Sequence, residues 1–282
     1  MRVESREFFK SKWHQGRRMF RTAYAVRFDR PARNGRNKAC LLECADLAGV
    51  RIDVIAKFTA CESGPTGLIR EALAAFFAFA ADLGLHVPEP ILVEVPPRFS
   101  AGASFPEVDH MMATSSRYAF GSAALPAGYM IVAPALPVKG PMLQRAADIF
   151  AFDTFVANGD RHPRNPNCLV RGEDLAVIDH DLAFLMDAIL FWKSPWVLGG
   201  GESLADPEKH IFWHQIRAQK LDFTRLGECL KAITDARLDE YVAALPDDWK
   251  LGNQAAQNTV QYIKDLRQNA DDAFSELQRV LA

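Results

Sequence analysis

The sequence predicts an α+β protein in two lobes, the first β-rich with a single helix and the second mostly helical. Three observations predict it. Period-two alternation of apolar residues is concentrated before residue 60, where Thr22–Phe28, Cys40–Glu43 and Arg51–Phe58 read as strands. Apolar spacings of three and four dominate after residue 140. Between these regions, Ala133-Pro134-Ala135-Leu136-Pro137 breaks any regular element, which sets a boundary between residues 1–132 and 133–282.

The elements follow in order. Pro31 to Lys38, with Gly35, is a polar turn region, and a turn near Gly49 joins the second strand to the third. Cys61–Gly67 reads as a loop because Gly64, Pro65 and Gly67 crowd it. From Leu68 to about Leu83 the apolar residues Leu68, Ala72, Ala75, Phe76 and Phe79 recur at helical spacing, and Gly84 is a natural stop. Val87-Pro88-Glu89-Pro90 is a stiff linker into a strand at Ile91–Val95. Residues 96–128, rich in Ala, Ser, Gly and Pro, read as loop, and Tyr129–Val132 as a short apolar strand. Asp148–Asn158 is helical; Cys168–Val170 and Leu175–Asp179 form a hairpin around Arg171–Asp174. Residues 256–281 read as one helix, packed through Val260, Ile263, Leu266, Ala270, Phe274 and Leu277.

Composition narrows the class. Of 282 residues, 49% are hydrophobic and 24% charged, the balance of an ordinary soluble globular protein, and 19 Phe supply volume for more than one core. A net charge of −2 argues against a broad nucleic-acid surface. The five cysteines are odd in number and lack C-x-x-C spacing, so they are expected as reduced, mostly buried thiols of a cytoplasmic protein. Met1–Arg18 is charged and lacks the apolar run of a signal peptide. Leu73–Leu85 is interrupted by Asp82 and Gly84 and is too short for a transmembrane segment.

The chemistry concentrates in Asn158-Gly159-Asp160-Arg161-His162-Pro163-Arg164-Asn165 and Val177-Ile178-Asp179-His180-Asp181. Asp160 follows a helix on a proline-stiffened segment, where a carboxylate can orient a substrate hydroxyl; a turn aspartate is the competing reading. The amide oxygen of Asn165 is a hard ligand that suits magnesium, whereas Asn167, next to a proline, reads as turn chemistry. Asp179 ends an apolar strand, where a carboxylate is costly unless it is metal-bound or paired, with Arg161 or Arg164 as the available partners. His162 and His180 read as buried supports that orient their neighbours. With Asp160, Asp179 and Asp181 they also compose the metal cluster of a phosphohydrolase, and the composition does not separate these readings.

The N-terminal half separates them. Lys57 closes the strand Val54-Ile55-Ala56 and Glu71 lies near the start of the next helix. Each alone reads as an exposed charge, but together they are the lysine and glutamate of a phosphoryl-transfer cleft. Gly35-Arg36-Asn37-Lys38, preceded by Asn34, offers backbone N–H groups and basic side chains that can cap phosphates, although it is neither G-x-G-x-x-G nor a Walker motif.

With these residues the chain resembles the HipA-like kinase family. The resemblance rests on Gly35–Ala39 before Leu41-Leu42, on Lys57 with Glu71, on Asp160–Asn165 and on Ile178-Asp179, in order across about residues 20–190. The Asp-Arg-His-x-x-Asn run is also similar to the catalytic loop of phosphoinositide kinases. The resemblance implies a bilobal, protein-kinase-like fold and transfer of phosphate from ATP, with Mg2+, to a Ser or Thr hydroxyl of a protein, itself included. It implies Asp160 as the catalytic aspartate, with His162 supporting it, and Asn165 and Asp179 as magnesium ligands. Lys57 would be the phosphate-binding lysine, Glu71 its partner, and Gly35, Arg36, Asn37 and Lys38 the cover over the phosphates. Ile131, Val132 and Ala133 would belong to the hinge that meets adenine. Asp179 is followed by His180-Asp181 rather than Phe-Gly, so the metal-loop switching of ordinary protein kinases is not implied. The chain is shorter than full-length HipA toxins, and residues 1–20 do not look like their extra domain. The expectation is therefore a kinase-only member, without support for an antitoxin-like partner. A lipid-headgroup or small-molecule kinase is the competing activity, with the apolar lip Ile189–Lys193 and Trp196 as a membrane contact or, equally, a core helix end.

Overall fold

The computed structural model describes residues 19–32, 35–78 and 82–282. The expectations for Met1–Arg18, Asn34 and Phe79 lie outside the described residues. The chain is α+β, with a sheet-rich N-terminal part and a helical C-terminal part. Five strands, β1 (Arg21–Pro31), β2 (Cys40–Asp46), β3 (Arg51–Lys57), β4 (Pro90–Glu94) and β5 (Tyr118–Ala123), close into a barrel in the order β1-β2-β3-β5-β4. Neighbours are antiparallel except β1 and β4, whose parallel pairing of Arg21–Tyr24 with Ile91–Glu94 closes the ring. Period-two burial follows from this: Cys40, Leu42 and Cys44 point inward on β2, as do Val54 and Ala56 on β3.

Helix α1 (Gly64–Ala78) leaves the barrel after β3. It starts four residues before the expected start. Pro65 sits in the first turn, where a missing N–H costs nothing, and the Gly67 N–H already donates to the Ser63 carbonyl at 3.0 Å. Gly64 and Gly67 thus begin a helix rather than a loop. From Gly67 to Ala78 all but Arg70 are buried, because α1 packs on the barrel and on two C-terminal helices, α7 (Asp247–Lys250) and α8 (Ala255–Gln268).

Residues 96–128 are not a loop. They hold α2 (Pro106–Thr114) and β5. Pro106 opens α2, Glu107 and Asp109 fall in its first turn, and Val108, Met111 and Met112 are buried. Strand β5 lies between β3 and β4, and its small residues allow the close approach: a Cβ on Gly121 would lie 2.5 Å from Val54 Cγ1 and 2.8 Å from Val93 Cγ2. The next strand, β6 (Met130–Ile131), is exposed and pairs with the hairpin β7 (Cys168–Arg171) and β8 (Asp174–Val177) as a separate three-stranded sheet.

The C-terminal part is built on α3 (Pro141–Phe155), which begins seven residues before the predicted helix, with Pro141 at its start and every residue from Ala146 to Phe155 buried. Short helices α4 (Trp213–Ile216), α5 (Thr224–Ala232) and α6 (Asp235–Ala244) follow, with α7 and α8 after them and α9 (Ala270–Leu281) last. The predicted terminal helix is two, α8 and α9, interrupted at Asn269, whose side chain donates to the Asp265 carbonyl at 2.8 Å and competes with the helical ladder. Its packed face is as expected, with Val260, Ile263, Leu266, Ala270 and Leu277 buried. The apolar lip at 189–198 follows the 3-10 turn Met186–Ala188 but is not a core helix end. Leu190, Phe191 and Leu198 are exposed, while Trp192 and Trp196 pack on Tyr262.

The tight β3–β5–β4 contact makes Gly121 a test of the barrel. Gly121→Ala is expected to cost about 1–3 kcal/mol, because the neighbouring valines and the Ile91 carbonyl leave no room for a methyl group. Urea unfolding measures it, and an unchanged midpoint would count against this packing.

Candidate functional site

A cleft of about 630 Å³ lies between the barrel and the β6–β8 sheet. Its wall includes Gly35, Arg36, Asn37, Lys57, Glu71, Ile131, Asp160, Asn165 and Asp179, residues that span most of the sequence. Lys57 enters it from the end of β3 and Glu71 from α1. The Lys57 ammonium donates to Glu71 Oε2 at 2.6 Å and to Asp179 Oδ1, and lies 3.6 Å from Asp181 Oδ1. Burial alone would push this ammonium down, but the carboxylates of Glu71, Asp179 and Asp181 reverse that and hold it above its ordinary range. Burial raises the Glu71 carboxyl to about 7, with Lys57 opposing the rise. Burial likewise raises Asp179, again opposed by Lys57. Asp181 is the exception: Lys57 and hydrogen bonds from Asn37 and Ser63 outweigh its burial and hold it below the usual carboxylate range.

Asp179 lies two residues past β8 with φ of 62°, a left-handed conformation that turns the chain out of the strand direction. Its partner is Lys57 rather than Arg161 or Arg164. Asp160 lies across the cleft. The side-chain amides of Asn165 and Asn167 donate to its Oδ2 at 2.9 and 3.0 Å, which leaves Oδ1 as its free acceptor. His162 Nε2 is 3.7 Å from that Oδ1, and His162 Nδ1 is buried without a hydrogen-bond partner. Asn167 therefore does more than make a turn. Its φ of 43° fits one, but its amide also holds Asp160.

Behind Asp160 lies a buried polar knot that the sequence reading missed. Arg161, fully buried, donates from Nε to Asp153 Oδ2 at 2.6 Å, from Nη2 to Asp153 Oδ1 at 3.2 Å, and from Nη1 to the carbonyls of Asn167 and Ile178. Asn158 and His210 also contact Asp153, at 2.8 and 3.1 Å. Burial opposes ionisation of Asp153, yet Arg161 and His210 hold its carboxyl at about 2. A signal for it was present: an aspartate inside the apolar run Phe150-Ala151-Phe152-Asp153-Thr154-Phe155 demands a buried partner.

Several expected residues are placed elsewhere. Lys38 lies outside the cleft wall and pairs with Glu107 on α2 at 2.5 Å. Val132 is buried and its N–H donates to the Cys168 carbonyl, extending the β6–β7 pairing, while Ala133 does not line the cleft. Ser122, Ala123, Ala124 and Leu125, at and just past the end of β5, do line it, as does Ile131. Reading residues 96–128 as loop hid β5, the strand that leads into the cleft. The histidine–aspartate metal cluster is not assembled either. Among the described residues, the carboxylates that converge are Glu71, Asp179 and Asp181, with oxygens within 4.8 Å of one another and no histidine in the set. His180 is buried against Phe152 instead.

The donor chemistry of the cleft suits magnesium. The Asn165 amide nitrogen is engaged by Asp160, which leaves its oxygen free, and Asp179 keeps a partly exposed carboxylate; both are hard ligands. The site thus combines a buried Lys–Glu pair, a carboxylate aimed into the cleft and oxygen ligands for a divalent cation, the parts of a phosphotransferase. The description "HipA-like kinase" belongs to the family profile that matches residues 55–277, so the chain belongs to that family and is a kinase. The match takes in the C-terminal segment beyond residue 190, where no motif was legible, and begins after Gly35–Lys38. No curated protein matches the chain.

Burial pushes the His180 imidazole down to about 3 from 6.5, so it is neutral when folded. A depressed folded value gives stability that is present above about pH 6.5 and lost as pH falls towards 3. The wild type should lose stability to urea between pH 7 and pH 4.5, and His180→Asn should flatten that loss. An equal loss in both proteins would count against the role of His180.

Proposed function

We propose that this kinase is bilobal and takes ATP with Mg2+ in the cleft, passing the γ-phosphoryl group to a Ser or Thr hydroxyl of a protein. The carrying observation is the buried Lys57–Glu71 pair opening into the same cleft as Asp160, Asn165 and Asp179. Such a pair costs desolvation on both partners, which a binding site for phosphates offsets and a general surface does not. Lys57, fixed by Glu71, holds the phosphates. Asp160 accepts a hydrogen bond from the attacking hydroxyl on Oδ1 and orients it, while Asn165 and Asn167 keep the carboxylate in place. Asp179 and the Asn165 oxygen hold the magnesium, which neutralises phosphate charge when bound. Gly35, Arg36 and Asn37 cover the phosphates; Lys38, turned to Glu107, has no part in it. The backbone from Ala123 to Leu125, with Ile131 opposite, receives the adenine. A cytoplasmic location belongs to this reading and is supported by buried, unpaired Cys40, Cys44 and Cys168, whose thiols burial pushes up to about 12.

One observation favours a second acceptor class. Leu190, Phe191 and Leu198 are exposed on the segment after Asp181, a surface that suits a lipid headgroup kinase working at a bilayer. No helix among the described residues is long and apolar enough to cross a membrane.

Radiolabelled ATP tests both readings. Asp160→Ala is expected to lower transfer to the protein itself and to lysate proteins about 10²–10⁴-fold, and Lys57→Met to weaken ATP binding. Equal labelling by wild type and Asp160→Ala would remove Asp160 from its role. Transfer that requires vesicles and labels lipid would favour the second acceptor class.

A further inference from the structure

Asp181 is the carboxylate of the buried cluster that the kinase reading leaves without a part. Its side chain is only 6% exposed, so its charge must be met locally. Four side chains from three stretches of chain meet on it. Its Oδ2 accepts from Asn37 Nδ2 at 2.8 Å, from the Ser63 hydroxyl at 3.1 Å and from the Arg36 guanidinium at 3.3 Å. Its Oδ1 faces the Lys57 ammonium at 3.6 Å.

Asn37 completes the arrangement. It is buried, and its Oδ1 accepts from the Ser63 N–H at 3.0 Å and from the Ser63 hydroxyl at 2.6 Å. One hydroxyl proton serves only one of the two acceptors at a time, so the charged interactions with Asn37, Arg36 and Lys57 carry the contact. The turn itself has a single glycine. Among the described residues its other ties are the Ala32 N–H to the Ala39 carbonyl at 2.7 Å, the Lys38 N–H to the Gly35 carbonyl at 3.1 Å, and the exposed pairs of Arg36 with Glu62 and Lys38 with Glu107. The backbone bonds close the turn on itself, and the exposed pairs are too weak to fix it over the cleft. Backbone N–H groups cradle a phosphate only when already in place, because ordering them on binding weakens the affinity.

We propose that Asp181 is a positioning residue, a latch that pins the Gly35–Lys38 turn to Ser63 and Lys57 and thereby sets the affinity of the cleft for the phosphates of the nucleotide. The proposal rests on the kinase reading above. It also gives the Asp179-His180-Asp181 run a physical logic. His180 is buried on Phe152 and Asp181 is tied to the turn, so Asp179 is anchored through the residues that follow it.

The full-length protein is compared with Asp181→Ala and Asp181→Asn. Asp181→Ala is expected to raise the KM for ATP about ten-fold or more while kcat at saturating ATP changes by less than about three-fold. Asp181→Asn should lie between, because its amide oxygen still accepts from Asn37 but carries no charge for Lys57 and Arg36. Without nucleotide, hydrogen exchange at the amides of residues 35–39 should speed up in both variants while α1 is unchanged. A fall in kcat with KM unchanged would place Asp181 on the reacting groups and overturn the latch. Unchanged exchange at 35–39 overturns it too, as does unfolding of both variants, which would make Asp181 a general stability element. If the wild type binds no ATP, the kinase reading fails by itself and the exchange comparison alone decides the latch.

Discussion

The ion pair of Asp153 and Arg161 is the constraint that the site's geometry hangs on. Both side chains are fully buried, so neither charge has water to turn to. Asp153 belongs to the last turns of α3, and Arg161 follows Asp160 directly. By donating also to the carbonyls of Asn167 and Ile178, Arg161 ties both ends of the Asp160 loop to the residue before Asp179. Three segments that carry the candidate chemistry are thus held by one guanidinium, whose planar fork serves several acceptors at once. Such a pair contributes little net stability over an apolar replacement; what it supplies is a fixed relation between loops that have few apolar residues to pack.

The Lys57 cluster works by the opposite logic. One ammonium faces three carboxylates, so it does not balance their charges alone. Burial raises Glu71 and Asp179, whereas Asp181 is held low because Lys57 and the hydrogen bonds from Asn37 and Ser63 outweigh its burial. On the proposed reading a cation and phosphates would redistribute the same charges. Asp153 with Arg161 is a closed structural pair, and Lys57 with its acids is an open one facing a cavity.

Much of the candidate site was legible because its residue types are costly in their settings. Asp179 after Leu-Ala-Val-Ile needed a partner, Lys57 and Glu71 read as exposed charges singly and gained weight only as a pair, and the structure brings the three together. Asp153 gave the same signal and was overlooked, because a helix of Phe and Ala reads as core whichever face is sampled. Residues 96–128 misled for a different reason. Ala, Gly and Ser are loop residues by propensity, but in β5 they are what lets β3 and β4 approach, a demand set by neighbours outside the segment. That reading hid β5, whose end at Ser122–Leu125 lines the cleft together with Ile131.

The sequence by itself determined the α+β class, the strands of β1–β3, the hairpin, the buried stripe of the last helices and the pairing of a lysine, a glutamate and two loop acids as one chemical unit. These follow from local periodicity and from the energetic cost of charge in apolar surroundings, which a sequence displays directly. Only the tertiary structure decided that the barrel closes through a parallel β1–β4 contact, that Lys38 turns to Glu107 and away from the cleft, and that Asn167 and Asp181 hold the parts in place. Those outcomes depend on contacts between residues far apart in the chain. No spacing along the sequence records which of several polar partners lies within 3 Å of a given oxygen.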